Sequence, residues 1–387
     1  MQNRQPTYPG RVILTPVPGM ANTYDMTRAD EPTVDGTPLN KETLLQDTTC
    51  AILGISNTSV PNDAFVKLAL GTGKYGYVVT LVYPDGSPAE GFTLTGLTAP
   101  NGENAVTNSD GQAVVVSTNQ KVTIGFNSPY IDIKSESNIE IESTGILTDH
   151  TITLNPGQAT ILSSGVYNFS PIAKTADFCC VGGGGGGNCQ SGQPGRGGGG
   201  GYVENLLNVS VQAHSSIKVE IGAGGTWKDY YDAGDGGKTT VSDAKTNEIL
   251  VSANGGQGAR TASGGTGNGN GSSSTYAGGI SGYSPAAHAG GNSNIRKFND
   301  PNEDLAGGGG GAAGVVINDS LSATRPSGGL PNGATGSFTQ ILGQSSNLKP
   351  AGNAIAPGGG GGGGVSTKSN YTPSSGASGG VHIRCYY

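Results

Sequence analysis

The stretch best suited to chemistry is Trp227-Lys228-Asp229-Tyr230-Tyr231-Asp232, which joins the single tryptophan of the chain to two tyrosines and alternating charge. Aromatic rings stack on the apolar faces of sugars, and neighbouring carboxylates and hydroxyls bond sugar OH groups; Trp and Tyr also dominate interface hot spots. The plain alternative is that Trp227 caps a small core beneath its loop. A second stretch offers Tyr276, Tyr283, His288 and Phe298 among glycines and serines. Its plain reading is a solvated loop.

Signatures of catalysis fail on context. Gly376-Ala377-Ser378-Gly379-Gly380 has the GxSxG spacing, but a nucleophile elbow needs a strand, a turn and a helix, and here a closing strand follows. Gly236-Gly237-Lys238-Thr239 has the end of a phosphate-binding loop, with Asp232 where its first glycine belongs. Four scattered histidines (His150, His214, His288, His382) make no HExxH or i, i+4 pair. Asp229/Asp232 and Glu303/Asp304 could serve a glycosidase only if folding set them at the right separation. Cys50, Cys179, Cys180, Cys189 and Cys385 are odd in number and lack a repeated spacing, so they suit neither a disulfide framework nor a zinc site. The expectation is a protein that is not an enzyme, with no catalytic residues, no metal and no cofactor.

Composition narrows the partners. The chain has 387 residues, 70 of them glycine, with only 34% apolar and 13% charged. Just 16 glycines lie in residues 1–180, and 54 follow. The first part carries 9 Lys/Arg and 17 Asp/Glu, the second 12 and 11. An almost neutral glycine-rich half lacks the basic stripe needed to bind phosphates, so nucleic acid is not expected. No run approaches the roughly 20 apolar residues of a membrane span, and no signal-peptide pattern opens the chain. Assembly in a cytoplasm follows most simply.

The elements that must position these residues fall into three regions. In residues 1–73, Pro6, Pro9, Pro16 and Pro18 keep the start extended. Asn40 is an N-cap for a helix through Leu44, Leu45, Thr48, Ala51 and Ile52, closed by Gly54. A second helix begins at Asn62, with Ala64, Phe65, Leu68 and Ala69 on one face, and ends at Gly71. Two such helices are too small to stand alone and should pack on sister chains or a mounting protein. Residues 74–155 read as a β-sandwich: a strand over 77–83, then 91–95, 112–117, 120–126, 130–134, 138–142 and 149–154, with Asn101-Gly102 and Asp110-Gly111 turns.

Residues 156–387 interleave strand-like stretches with the runs Gly182–Gly187, Gly197–Gly201, Gly307–Gly311 and Gly358–Gly364. One run is a linker, but four between apolar strands suggest packed polyproline-II helices. Without Cβ atoms such helices approach closely and can pair every backbone group. Separate glycine-rich turns on a β-scaffold are the alternative. Bundle glycines offer a ligand nothing to grip, so recognition falls to the joining segments 226–235, 272–304, 318–350 and 366–375. The fold class expected is mainly β: a short helical attachment segment, a β-sandwich, and a glycine-rich domain of strands and packed polyglycine helices.

The run over residues 23–55, with its GTPLN…LL stretch, and the later VPNDAF turn resemble the N-terminal segment of phage tail-fibre-like proteins. The DGSPAEGFTLTG…TNSDGQAVV pattern resembles transthyretin-like or carboxypeptidase-regulatory-like spacer domains. The glycine runs closed by Gly379-Gly380-Val381-His382-Ile383-Arg384 resemble the glycine-rich ends of phage tail proteins, and the composition is similar to that of T-even-type adhesins with their polyglycine sandwich. The resemblance implies a receptor-binding protein of the virion tail, homotrimeric and mounted on tail or baseplate proteins through residues 1–73. Its tip would bind a host cell-surface glycan or protein without catalysis. A passive structural tail protein and a surface-polysaccharide depolymerase are the rivals.

Overall fold

The computed structural model describes residues 5–6, 11–20, 22–28, 32–34, 45–70, 74–144, 146–191, 196–229, 231–260, 295–305, 315–317, 338–342, 345–349, 351, 353–361, 364–366 and 374–387. The chain divides into two units: residues 1–127 with 135–153, and residues 128–134 with 154–387.

In the first unit, β1 (Gln5–Pro6) pairs with β4 (Pro32–Val34), and β2 (Val12–Pro16) pairs antiparallel with β3 (Tyr24–Arg28). Helix α1 spans Asp47–Leu53 and α2 spans Pro61–Leu70. Residues 40–44 lie outside the described set, but Leu45 and Gln46 precede the helix instead of extending it. Leu45 packs in one buried cluster with Cys50, Leu53 and Ala64, the contact of a residue just before an N-cap with one a turn inside. Gly54 closes α1 in the left-handed region (φ 65°), as expected of a C-cap. Helix α2 opens with proline in its first turn, and the Asp63 carboxylate accepts from the Val60 N–H (2.9 Å). Its buried residues are Ala64 and Leu70, whereas Phe65 and Leu68 are exposed. The face read from spacing thus packs only in part.

The β-domain follows. Its strands are β5 (Tyr75–Val82), β6 (Thr93–Thr98), β7 (Asn104–Val106), β8 (Gln112–Ser117), β9 (Lys121–Asn127), β10 (Glu136–Glu142) and β11 (Leu147–Thr153). The path is β10-β9-β6-β8-β5-β11, with β7 on β6. The two halves meet through one residue pair, Thr98 with Val116, so the sheet turns there. Tyr77, Val79 and Leu81 alternate inward from β5 and Ile124 and Phe126 from β9, all buried. Phe92 joins them, edge-on to both Tyr83 and Phe126. The strand expected over 130–134 does not form. That segment makes isolated bridges to Asn168 and Pro156 and belongs to the second unit. The cause is Asp132, buried, whose carboxylate accepts from the Ser170 backbone N–H (2.8 Å) and hydroxyl.

The second unit begins as a two-sheet sandwich. One sheet has the order β12-β25-β14-β16, from β12 (Ala159–Ile161), β14 (Thr175–Val181), β16 (Val203–Ser210) and β25 (Gly380–Tyr386). The other runs β13-β17-β19-β20, from β13 (Gly165–Asn168), β17 (Ser216–Glu220), β19 (Thr239–Asp243) and β20 (Ile249–Ala253). Phe169, Phe178, Ile217, Val219, Val241, Val381 and Ile383 form the core between them. His382 faces the other side of β25 from these, 8% exposed, with Nδ1 2.9 Å from the Thr160 hydroxyl.

Burial, with Lys297 nearby, lowers the His382 pKa from its ordinary value to about 4. The unfolded chain therefore binds a proton at about 6.5 that the folded chain refuses. Above that pH the residue costs nothing. As pH falls from about 6.5 to 4, stability should drop by up to about 3 kcal/mol. His382→Gln should flatten that part of the melting-temperature profile; parallel profiles would refute the assignment.

Six sandwich strands run directly into or out of glycine segments. The run 182–187 leaves β14, and 196–202 returns to β16; 222–228 leaves β17, 233–238 returns to β19, 254–259 leaves β20 and 374–379 returns to β25. The run 182–187 is central. Its N–H groups donate with a period of three: Gly182 and Gly185 to Tyr202 and Gly199, Gly183 and Gly186 to Gly237 and Gly234, Gly184 and Gly187 to Ala377 and Ser374, all at 2.8–3.0 Å. Its carbonyls accept from the other three neighbours: Gly256 and Ala259, Gly225 and Lys228, and Gly361.

The six neighbours also bond one another in a closed ring. Gly201 donates to Gly358, Gly358 to Ser378, Gly376 to Gly225, Gly234 to Thr226, Gly236 to Gly256 and Gly199 to Gln257. Among the described residues this is a hexagon of polyproline-II-type helices around one central helix, with antiparallel and parallel neighbours alternating. The three-residue period of that helix requires the arrangement, since donors at successive residues point to three different sides. An added Cβ on Gly182, Gly183, Gly184, Gly185 or Gly186 would overlap a neighbour's carbonyl oxygen. Only glycine lets six helices come this close. Gly307–Gly311 lies outside the described residues.

Candidate functional site

Because six of the seven glycine segments adjoin a sandwich strand at one end, their connections gather at the opposite, distal end of the bundle. There β15 (Asn188–Ser191), β18 (Lys228–Asp229) and β24 (Gly364–Ser366) form a three-stranded parallel sheet in the order β18-β15-β24. All three continue outward from bundle helices or lie just beyond them. The distal rim is stitched by polar groups. Asn188, fully buried, exchanges backbone and side-chain bonds with Arg196, and its amide donates to the Arg260 carbonyl (3.2 Å). Arg260 grips Asp235 through one guanidinium nitrogen at 2.7 and 2.9 Å, and Asp235 also accepts from the Gly258 N–H (2.7 Å).

Trp227 sits where the bundle helix 222–228 meets this rim, with its backbone N–H directed to the Ser375 hydroxyl at 3.4 Å. It is 40% exposed and Tyr231 is 73% exposed. Asp232 is exposed as well, and the Asp229 backbone pairs with Cys189. Trp227 belongs to none of the buried clusters among the described residues. The fold therefore brings Trp227, Lys228, Asp229, Tyr231 and Asp232 to one end of the bundle. Tyr230, Tyr276, Tyr283 and His288 lie outside the described residues, as does the Asp229 side chain.

Phe298 is elsewhere, which corrects its reading as a recognition residue. It is buried against Cys179, Val181 and Val203 on the outer face of the sandwich. Its segment, 295–305, is a strap: Arg384 binds Asp300 (2.9 Å) and Asp177 (3.1 Å) and stacks 4.7 Å above the Phe298 ring. Glu303 is engaged there too, by Arg384 and Gln158, so the Glu303/Asp304 pair serves the strap. The two formal motifs resolve similarly. Ser378 and Gly236–Lys238 lie in bundle helices, where their glycines meet the central run. Burial pushes the Cys179 and Cys180 thiols up to about 12, far from nucleophilic at neutral pH. Among the described residues no cluster of three His, Cys, Asp or Glu could hold a metal, and no helix is long and apolar enough to cross a membrane.

Asn188, Arg196, Asp235 and Arg260 are not singled out by any motif in the sequence. The available signal is position: Asn188, Arg196 and Arg260 stand at the outer ends of glycine segments, and Asp235 stands within one.

A family model described as "Glycine-rich domain" matches residues 160–386. No curated protein matches the chain. Among solved structures, DUF3823 family proteins from Parabacteroides merdae ATCC 43184 and Bacteroides ovatus ATCC 8483 are similar at 13% and 17% identity. Each match covers 28% of this chain, with a TM-score of 0.17, and the chain spans just under two thirds of their length (66% and 64%). The shaft pilin spaA from Lactobacillus rhamnosus GG is similar at 9% identity over 51% of this chain and 96% of its own, with a TM-score of 0.18. Likenesses this slight carry no argument.

Proposed function

We propose, for a chain that belongs to the glycine-rich domain family, that it is a receptor-binding protein of a bacteriophage tail, attaching the virion to its host by non-catalytic binding. The observation that carries this reading is the position of Trp227 and Tyr231. Both project at the far end of a bundle whose backbone is tied on every side. A frame that needs no side chains from its connecting loops leaves those loops free to suit a receptor, and a rigid mount lowers the entropy lost on binding. Exposed aromatics beside a carboxylate suit a cell-surface glycan or the polar rim of an outer-surface protein.

The first unit suits attachment. On β2–β3, Val12, Leu14, Tyr24 and Met26 share one face and are exposed, and Phe65 and Leu68 of α2 are exposed too. A two-stranded ribbon is marginal by itself. Contact with tail or baseplate proteins, or with sister chains of a homotrimer, would cover these groups, and several copies per virion would add weak contacts into firm adhesion. Assembly in the host cytoplasm and residence in the virion tail complete the proposal.

The test is binding of the fluorescently labelled full chain to a broad panel of bacterial cells and their purified envelope glycans. Saturable binding to some strains is expected. The double variant Trp227→Ala, Tyr231→Ala should weaken it by roughly a hundredfold or more, the loss of two hot-spot rings. Binding that survives the double variant would keep the function and move the site. A folded chain that binds no cell in the panel would leave a passive structural tail protein as the better account.

A further inference from the structure

The first unit holds a cleft of about 590 Å³ between the helical pair and the neighbouring part of the β-sheet. Its volume falls within the range of small-molecule sites. The two charged residues on its wall are already engaged. Asp63 accepts from the Val60 N–H at the start of α2, and the Lys67 ammonium donates to the Lys74 carbonyl (3.0 Å) while lying 5.9 Å from the centre of the Tyr75 ring. That leaves neutral groups. Ser59, Asn62, Tyr75 and Thr144 line the cleft, and among the described residues their side chains make no hydrogen bond. Val66 and Leu147 add apolar wall between them.

Hydroxyls and a carboxamide with spare donors and acceptors, a phenol ring and small aliphatic patches match a ligand that alternates OH groups with C–H faces. An anion would meet the Asp63 carboxylate on the same wall as the Lys67 ammonium, and an apolar helix would leave the polar groups unpaired. We propose that this cleft is a second binding site, for a short neutral saccharide of one or two rings. It is independent of the distal site and of the receptor-binding reading, because it shares no residue with either.

The experiment is saturation-transfer NMR on the full chain with maltose, lactose and N,N′-diacetylchitobiose as probes. At least one should receive saturation, and Asn62→Ala and Thr144→Val should each weaken it about threefold to tenfold, the loss of one neutral hydrogen bond. Trp227→Ala should leave it unchanged. Both cleft substitutions fall on side chains without hydrogen bonds, so the melting temperature should stay within about 2 °C. Absence of transfer to all three sugars would overturn the proposal. Transfer that survives both cleft variants and disappears with Trp227→Ala would also overturn it, by placing the sugar at the distal tip. A parent chain that binds no cell in the panel while the cleft signal persists would count against the receptor reading alone.

Discussion

Gly185→Ala is expected to destabilise the second unit by about 3 kcal/mol or more, lowering its melting temperature by roughly 10 °C. The added methyl would strike the Gln257 carbonyl and come within 2.6 Å of the Gly258 nitrogen. Both are backbone atoms of a neighbouring helix that is itself bonded into the ring, through Gly199 and Gly236. Neither can swing aside as a flexible side chain would. The dihedral angles of polyproline II suit alanine well, so the loss would measure packing and not backbone strain. Two controls separate this from a general effect of alanine. A methyl added at Gly157 would meet nothing within 4 Å, so Gly157→Ala should stay within about 0.5 kcal/mol. Ala223 and Ala377 already sit in outer helices without disturbing them. Calorimetry on the full chain decides the matter: a Gly185→Ala protein melting within about 2 °C of the parent would mean the bundle is looser than its hydrogen bonds imply.

The contrast between Gly185 and Ala223 also explains what the sequence could and could not tell. A central helix is contacted on every side, so it must be an unbroken run, and Gly182–Gly187 is legible for that reason. An outer helix is contacted on part of its circumference. It needs glycine at i and i+3 and tolerates a side chain on the face turned out, as in Gly222-Ala-Gly-Gly225, Gly234-Asp-Gly-Gly237, Gly255-Gly-Gln-Gly258 and Gly376-Ala-Ser-Gly379. These four are hidden from a search for runs, because a three-residue period is their signal. Two of them lie under formal enzyme motifs, which are the same spacing seen without its period. Counting runs thus shows the kind of packing but not its number of helices.

Similar reasoning applies to the other elements. Alternation in Tyr77, Val79 and Leu81 discloses the strand of the β-domain, because one face is buried and one is not. The segment 130–134 has equal apolar character but is captured by Asp132 and Ser170, partners separated by 38 residues, which no local pattern discloses. For the distal site, the aromatic residues and their place between glycine segments are readable. The supporting rim is not, since Asn188 and Arg260 are 72 residues apart and meet only when two bundle helices lie side by side.

Phe298→Ala is expected to cost about 3 kcal/mol, the value typical of emptying a buried aromatic site, and to free the strap 295–305. The outer face of β14 makes this so. Phe178 and Cys180 point into the core between the two sheets, while Cys179 and Val181 point away from it, yet every residue from Ala176 to Val181 is buried. An uninterrupted apolar run such as Phe178-Cys-Cys-Val181 signals a strand covered on both faces, and Phe298 is the cover. Phe298 and Asn299 both hold φ near 56°, a conformation that side-chain-bearing residues keep only when their surroundings impose it. Asn205 supplies part of that constraint, accepting from the Phe298 N–H (3.1 Å) and donating to the Asn299 side chain (2.8 Å). Arg384 supplies the rest through Asp300 and its stacking on the ring. Along the chain the strap falls between bundle helix 254–259 and bundle helix 357–361, the one neighbour of the central run with no sandwich strand adjoining it. Anchoring by Phe298 should therefore be felt in that helix. Hydrogen exchange in Phe298→Ala should quicken at 295–305 and at Gly361, whose N–H bonds the central run, while Gly183 and Gly186, tied to strands at both sides, keep their protection. Uniform loss of protection across the bundle would show that all seven helices open as one, and that the strap does no more than add to a single cooperative core.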